Sequence, residues 1–204
     1  MKREAVPFVG LTGGMGAGKS TALAVLERLG AATISSDAIV HDLWVGDDGL
    51  RRAVLDRWGP ELAPGGVIDR AAVAERAFAT EQDRAWLEGL LWPLVGARVA
   101  AWLGEARAEP PAGGVRPRAA VVEVPLLFEA GQQDLYDATI AVVSDEQLRR
   151  ERAAMRGHAS LDERAARQLS QEEKARLATF VVRNDGTEQD LLRELSAVLD
   201  KLGG

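Results

Sequence analysis

A short glycine-rich stretch near the start of the chain, residues 13–20, carries the strongest chemical signal in the sequence. It reads Gly-Gly-Met-Gly-Ala-Gly-Lys-Ser and fits the pattern Gly-x-x-x-x-Gly-Lys-Ser of a phosphate-binding loop. Glycines allow successive backbone N–H groups to turn around an anion with no side chain in the way. Lys19 then reaches the β- and γ-phosphates, and Ser20 offers its hydroxyl to Mg²⁺. The stretch therefore predicts a site for a nucleoside triphosphate.

Two acidic residues at predicted strands are candidates for chemistry beside that loop. Asp37 comes directly after the short strand pattern 32–36, and Glu123 lies in the nearly unbroken apolar stretch 119–124. Ligands of open α/β sheets bind outside the carboxyl ends of the strands, so we expect Asp37 to be catalytic and Glu123 to reach Mg²⁺ directly or through water. Each has a structural alternative, Asp37 as a helix N-cap and Glu123 as a paired buried carboxylate. His41, one helical turn beyond Asp37, is more typical of a surface or packing residue.

Arginines cluster on the helix predicted to follow residues 138–143. Arg152 and Arg156 are spaced i and i+4, so they project from one face and could grip a triphosphate with fork-shaped donors. The alternative is a solvated face paired with acidic neighbours on the same helix. A glycine at position 157 and helix restarts at 160 and 170 indicate short helices on a hinge. We therefore expect residues 145–175 to form a mobile lid.

The apolar pattern predicts one α/β unit that must hold these groups in place. Strands are predicted at residues 6–12, 32–36, 119–124, 138–143 and 180–182. Helical spacing appears at 21–29 and again at 187–202. Between residues 46 and 109 the pattern is helical, broken by glycine and proline, and indicates a helical insertion beside the sheet. Most of its tryptophans, at positions 58, 86, 92 and 102, are expected in the core.

Composition narrows the class of protein further. The chain has 204 residues, which fits one domain, and a net charge of −6, which argues against a nucleic-acid-binding surface. It has no cysteine, and its two histidines cannot build a zinc centre by themselves. No apolar stretch approaches the roughly 20 residues of a membrane span. We therefore expect a soluble, cytoplasmic protein that acts on small molecules and has no membrane, nucleic-acid or obligate protein partner.

Several stretches, met in order along nearly the whole chain, resemble the dephospho-CoA kinase family. They are the loop in its family form Gly-Leu-Thr-Gly-Gly-x-Gly-x-Gly-Lys-Ser at 10–20, Asp37, Pro-Leu-Leu-Phe-Glu at 125–129, a Gln-to-Lys segment at 168–174 and Asn-Asp-Gly at 184–186. The resemblance implies a P-loop fold of three layers, like that of nucleoside monophosphate kinases, with a five-stranded parallel sheet. It also implies that residues 46–109 form a helical region that binds dephospho-CoA.

The resemblance further implies the reaction. ATP phosphorylates the ribose 3′-hydroxyl of dephospho-CoA with the help of Mg²⁺, which completes coenzyme A synthesis. Asp37 then orients or deprotonates the accepting hydroxyl, while Lys19, Arg152 and Arg156 neutralise charge on the transferred phosphate. The expected nucleotide contacts are Gly14, Met15, Gly16, Ala17, Gly18, Lys19, Ser20, Thr21 and Asn184, and the expected metal ligands are Ser20 and Glu123.

The chain departs from the family pattern at a few positions. The family's Asp-Ala-Asp reads Ser-Ser-Asp at 35–37, His-Pro-Leu reads Trp-Pro-Leu at 92–94, and Ala-Asp before the last strand reads Ala-Thr at 178–179. An Asp before Val-Pro-Leu-Leu is Glu123 here. Three alternatives stay open: another P-loop kinase of a nucleoside, nucleotide or sugar acid, a regulatory GTPase, and a nucleotide-binding module without turnover. The lack of an Asn-Lys-x-Asp sequence for guanine weighs against the GTPase.

Overall fold

The structure is a computed structural model and describes residues 5–108, 114–155 and 168–203. Within these residues the chain forms a five-stranded parallel sheet with the spatial order β2-β3-β1-β4-β5. The strands are β1 (Phe8–Gly13), β2 (Ala32–Ser35), β3 (Ala120–Glu123), β4 (Ala138–Val143) and β5 (Phe180–Arg183). The predicted strands and the α/β fold class are confirmed, and each strand end lies within two residues of its predicted position.

Parallel strands need long crossover connections, and helices supply most of them here. The helices among the described residues are α1 (Lys19–Arg28), α2 (Ser36–Gly46), α3 (Asp48–Trp58), α4 (Arg70–Ala79), α5 (Glu81–Arg107), α6 (Glu146–Met155), α7 (Gln171–Leu177) and α8 (Glu188–Leu202). Short 3₁₀ turns cover Pro60–Leu62, Pro64–Gly66 and Gln133–Leu135. In the described part of the chain, no helix combines the length and apolarity needed to cross a membrane.

The chain divides into two compact units. A sheet unit comprises Met1–Ser35 and Leu103–Gly204, and a helical unit comprises Ser36–Trp102. The helical unit begins ten residues before the insertion predicted at 46–109, because α2 belongs to it.

The core of the sheet unit lies between the sheet and two helices that pack on it. The inner strands β1, β3 and β4 are almost entirely buried. On α8, leucines at 191, 195 and 199 recur at helical spacing and face the core, where they meet Val25 and Leu26 of α1. Burying each such side chain stabilises the fold by about 1.5–3 kcal/mol. A capping box begins α8, since Thr187 accepts a hydrogen bond from the Asp190 N–H and Asp190 accepts one from the Thr187 N–H.

Thr179, one of the departures from the family pattern, anchors the last strand. Its hydroxyl oxygen accepts a hydrogen bond from the backbone N–H of Thr139 on β4 at 3.0 Å. In return, the Thr139 hydroxyl accepts one from the backbone N–H of Thr179, also at 3.0 Å. A threonine therefore joins the start of β5 to β4 at this position.

Side-chain caps define the helices of the helical unit. Asp47 accepts a hydrogen bond from the Leu50 N–H at the start of α3, and Asp69 accepts bonds from the N–H groups of Ala71 and Ala72 at the start of α4. His41 is exposed, with Nδ1 2.7 Å from Nη1 of Arg70, so its interpretation as a surface residue is confirmed.

The expectation that the tryptophans lie in the core is wrong. Trp58 and Trp86 pack edge to face with ring centroids 5.0 Å apart, but both are only half-buried, and Trp92 is 53% exposed. Arg57 lies over Trp86 and pairs with Asp83 at 2.7 Å. A large ring can bury one edge while the rest stays accessible, so a tryptophan-rich helix does not have to be a buried one.

Candidate active site

The phosphate-binding loop connects β1 to α1. β1 ends at Gly13 in the middle of the sheet, and Gly18 is the N-cap of α1. Gly16 and Gly18 have φ values of 75° and 92°, which residues with a side chain rarely adopt. The Ala17 N–H donates to the Gly14 carbonyl at 3.2 Å and closes a turn. The loop therefore places backbone N–H groups at a helix N-terminus, where the helix dipole attracts an anion.

Lys19 folds back over this loop. Its Nζ donates to the carbonyl oxygens of Gly13 at 3.1 Å and Gly14 at 3.4 Å. Ser20 and Thr21 follow in the exposed first turn of α1. The structure thus brings the predicted loop contacts at 14–21 together on one turn and one helix start.

Asn184 and Arg152 lie against the same loop. Asn184 directly follows β5, is buried, and donates from Nδ2 to the Ala17 carbonyl at 2.9 Å. Arg152 on α6 donates from Nη1 to the Asn184 carbonyl at 3.0 Å and to the Ser144 hydroxyl at 3.1 Å. These two predicted site residues therefore lie beside the loop, whereas Arg156 lies outside the described residues.

Arg149 also contacts the loop, although it was not among the predicted site residues. Its Nε donates to the Met15 carbonyl at 2.9 Å. Its guanidinium packs on Gly14, where a Cβ would lie 2.9 Å from Nη2, and its backbone packs on Gly16, where a Cβ would lie 2.4 Å from its carbonyl oxygen. Small residues at 14 and 16 thus let α6 approach closely. Arg149 precedes Arg152 by three residues, and this i,i+3 spacing was a signal that could have identified it.

Glu123 ends β3 at the edge of the sheet that carries the loop. It is 7% exposed and pairs in register with Leu11 on β1 and Ser35 on β2. Asp37 follows Ser35 by two residues, in the helical unit. Because α2 begins at Ser36, Asp37 lies inside the first turn, so its alternative role as the helix N-cap is wrong. A carboxylate in a first turn is favoured by the helix dipole.

The described residues offer Mg²⁺ a few oxygen ligands and no preformed metal cluster. Among residues 5–108, 114–155 and 168–203, no group of three or more His, Cys, Asp or Glu side chains could hold a metal ion. Ser20 and Glu123 instead offer two oxygen ligands, the kind that Mg²⁺ prefers. Mg²⁺ commonly uses one or two protein oxygens together with substrate phosphates and water. The two predicted ligands therefore have the chemistry for a Mg²⁺ ion that arrives with its nucleotide.

Comparison with known families decides among the kinds of protein that use such a loop. The family model described as dephospho-CoA kinase matches residues 7–190. The chain belongs to the dephospho-CoA kinase family. A dephospho-CoA kinase from Deinococcus radiodurans is 36% identical over 197 residues, which cover 95% of this chain and 91% of that protein.

Solved structures agree with the fold. TT1252 from Thermus thermophilus has a TM-score of 0.79 and 31% identity, and the match covers 98% of this chain and 100% of that one. A dephospho-CoA kinase from Campylobacter jejuni has a TM-score of 0.66 at 24% identity, with 96% of each chain covered, which supports the fold.

Membership in the dephospho-CoA kinase family confirms the predicted activity. The chain is a kinase that phosphorylates dephospho-CoA with ATP in coenzyme A biosynthesis. The family match over residues 7–190 excludes a regulatory GTPase as the explanation of the phosphate loop. It supports an enzyme that acts on dephospho-CoA over a nucleotide-binding module without turnover and over a P-loop kinase of another acceptor class.

Proposed function

We propose that the chain transfers the γ-phosphoryl group of ATP to the ribose 3′-hydroxyl of dephospho-CoA at the phosphate loop, with Mg²⁺, in the cytoplasm. The main support for this proposal is the phosphate loop at the end of β1, over which Lys19 folds. Arg152 is held beside the loop through Asn184. The lack of cysteine agrees with a reducing compartment.

In this proposal the loop residues bind the ATP phosphates. Backbone N–H groups of the loop surround the phosphates, and Lys19 exchanges its bonds to the Gly13 and Gly14 carbonyls for bonds to the β- and γ-phosphates. Ser20 and Glu123 would hold Mg²⁺ together with the phosphates, and the ion would supply positive charge against the transferred group. Arg152 and Arg156 add positive charge from the proposed lid at 145–175. Preorganised charge of this kind is the main source of catalysis in phosphoryl transfer.

Asp37 is proposed to orient or deprotonate the accepting hydroxyl, and residues 46–109 to bind dephospho-CoA. Support for Asp37 comes from its position two residues after β2, whose last residue pairs with Glu123 at the carboxyl edge of the sheet. A positioned carboxylate of this kind typically contributes about 10²- to 10⁴-fold to the rate.

The test of Asp37 compares two substitutions on one helix. Asp37→Asn keeps the size of the side chain but removes the proton-accepting charge, so we expect kcat to fall by about 10²- to 10⁴-fold. ATP affinity and the thermal unfolding midpoint should stay near those of the wild type. Asp42→Asn removes a charge from an exposed position of the same helix and is the matched control. Near-normal turnover of Asp37→Asn would show that another group activates the acceptor.

The acceptor itself is tested by product analysis. The purified protein is incubated with ATP, Mg²⁺ and dephospho-CoA, and in parallel with a nucleoside, a nucleoside monophosphate and a sugar acid. We expect ADP formation only with dephospho-CoA, and a phosphorus NMR spectrum of the product that shows a new 3′-phosphomonoester. A phosphate at another position of dephospho-CoA would contradict the proposed acceptor atom while leaving the kinase activity in place.

A further inference from the structure

The largest fully buried side chain in the described part of the chain is a charged one, Lys174 on α7. Its Nζ lies 2.9 Å from Oε1 of Glu129, 2.8 Å from the Pro125 carbonyl and 3.4 Å from the Thr12 hydroxyl. An ammonium group has three N–H donors, and these are three acceptors. Burial lowers the pKa of Lys174, and the Glu129 carboxylate opposes this change by favouring the charged form.

These contacts join segments that are far apart in sequence. Thr12 directly precedes Gly13, the first residue of the phosphate loop, and its hydroxyl also donates to the Pro125 carbonyl at 3.3 Å. Pro125 lies two residues beyond Glu123. Glu129 accepts a further bond from the Leu169 N–H at 2.8 Å, just before α7. One ion pair thus holds together the end of β1, the segment after β3 and the start of α7.

Stability alone is a poor reason for this arrangement. A buried ion pair loses the hydration of both charges, and apolar residues of similar volume often stabilise a fold as well or better. Oε2 of Glu129 is buried with no hydrogen-bond partner among the described residues. The hydrogen-bonding capacity of the pair is therefore not fully used. Apolar side chains could fill the space, but they could not hold the Pro125 carbonyl and the Thr12 hydroxyl in fixed directions, as charge-assisted hydrogen bonds do.

We propose that Lys174 and Glu129 are positioning residues for phosphoryl transfer. They hold the carboxyl ends of β1 and β3 together, so that the phosphate loop and Glu123 keep the relative placement that the transfer requires. The pair acts through Thr12 and Pro125 rather than by touching nucleotide. This inference rests on the proposed function, because the roles of the loop and Glu123 are given there. A misplacement of about 1 Å in such a site can cost on the order of 10²-fold in rate.

The test is the double variant Lys174→Met with Glu129→Gln. It removes both charges at nearly constant volume and keeps an oxygen that can accept the Leu169 N–H. We expect a thermal midpoint within a few degrees of the wild type and kcat lowered about 10- to 100-fold. The KM values for ATP and dephospho-CoA should change much less than kcat. Lys174→Met alone leaves an unpaired buried carboxylate and should lower the midpoint strongly.

Two further variants complete the experiment. Arg28→Met with Glu188→Gln removes an exposed ion pair of the same unit and should change neither the midpoint nor kcat. Thr12→Val removes one acceptor and leaves no buried charge unpaired, so it decides the question if the double variant fails to fold. It should lower kcat several-fold while lowering the midpoint only by the few degrees that one unpaired buried N–H donor costs.

Two outcomes would overturn the inference. One is a double variant with wild-type midpoint and wild-type kcat, which would make the pair a structural feature only. The other is a Thr12→Val variant with unchanged kcat. A wild-type protein without activity on dephospho-CoA would instead refute the proposed function, and the two failures are therefore distinguishable.

Discussion

Replacing Gly18 with alanine tests how closely the phosphate loop packs against Asn184, the residue that follows β5. A Cβ at Gly18 would lie 2.0 Å from Nδ2 of Asn184, and the φ of Gly18 is +92°. This left-handed conformation costs an L-residue about 1–2 kcal/mol. The clash would also displace the Asn184 amide, which donates to the Ala17 carbonyl, and an unpaired buried partner costs roughly 1–3 kcal/mol. We therefore expect Gly18→Ala to lower the free energy of unfolding by about 2–5 kcal/mol.

The assay is denaturant unfolding without nucleotide, with ATP binding measured by calorimetry. Gly131→Ala is the control, because Gly131 has a φ of +63° and open space where a Cβ would be, so it should cost only about 1–2 kcal/mol. In an Asn184→Ala background the obstructing amide is gone. There the substitution at Gly18 should cost about as much as at Gly131. ATP affinity should fall for Gly18→Ala and not for Gly131→Ala.

Two results would refute the reasoning. The first is a cost of Gly18→Ala no larger than that of Gly131→Ala, which would mean that the amide does not occupy the space beside the loop. The second is an equal cost of Gly18→Ala with and without the Asn184 side chain, since a direct contact must appear as a coupling energy in the double-mutant cycle.

Three further predictions concern single side chains. Lys19→Ala should abolish turnover while the unfolding midpoint without nucleotide stays near wild type, since its ammonium serves the phosphates, and retained activity would contradict the role of the loop. Arg149→Gln should weaken ATP binding or turnover about 10-fold or more through loss of a charge-assisted bond, measured against Arg150→Gln, an exposed neighbour paired within its own helix. Equal effects would show that Arg149 has no special role. Burial raises the pKa of Tyr136 to about 12, and as this is the protein's single tyrosine, its ultraviolet titration reports that group alone. The neutral phenol is favoured in the folded state, so its contribution to stability is complete below the ordinary pKa of 10.0 and is lost as pH rises through about 12. A midpoint near 10 in the folded protein would contradict its burial.

The phosphate loop could be predicted from the sequence because its conformation depends on consecutive residues. Glycine at 16 and 18 permits the positive φ values, and Lys-Ser directly starts the helix. Caps such as Ser170 are local in the same way, since the side chain that accepts and the N–H that donates are three residues apart. The five strands were visible as apolar runs, since a sheet covered on both faces buries nearly every residue of its inner strands.

Only the tertiary structure decided which distant residues meet at the site. Arg149 reaches the Met15 carbonyl across 134 residues of sequence, and Lys174 reaches Thr12 across 162. Helical spacing shows that arginines share a face but not which face meets the loop. Lysine is among the residues least often fully buried, so nothing in its type predicts an interior position for Lys174. Its burial is possible only because the fold brings a carboxylate, a carbonyl and a hydroxyl to one point, and such a meeting of separate segments leaves no mark in local sequence.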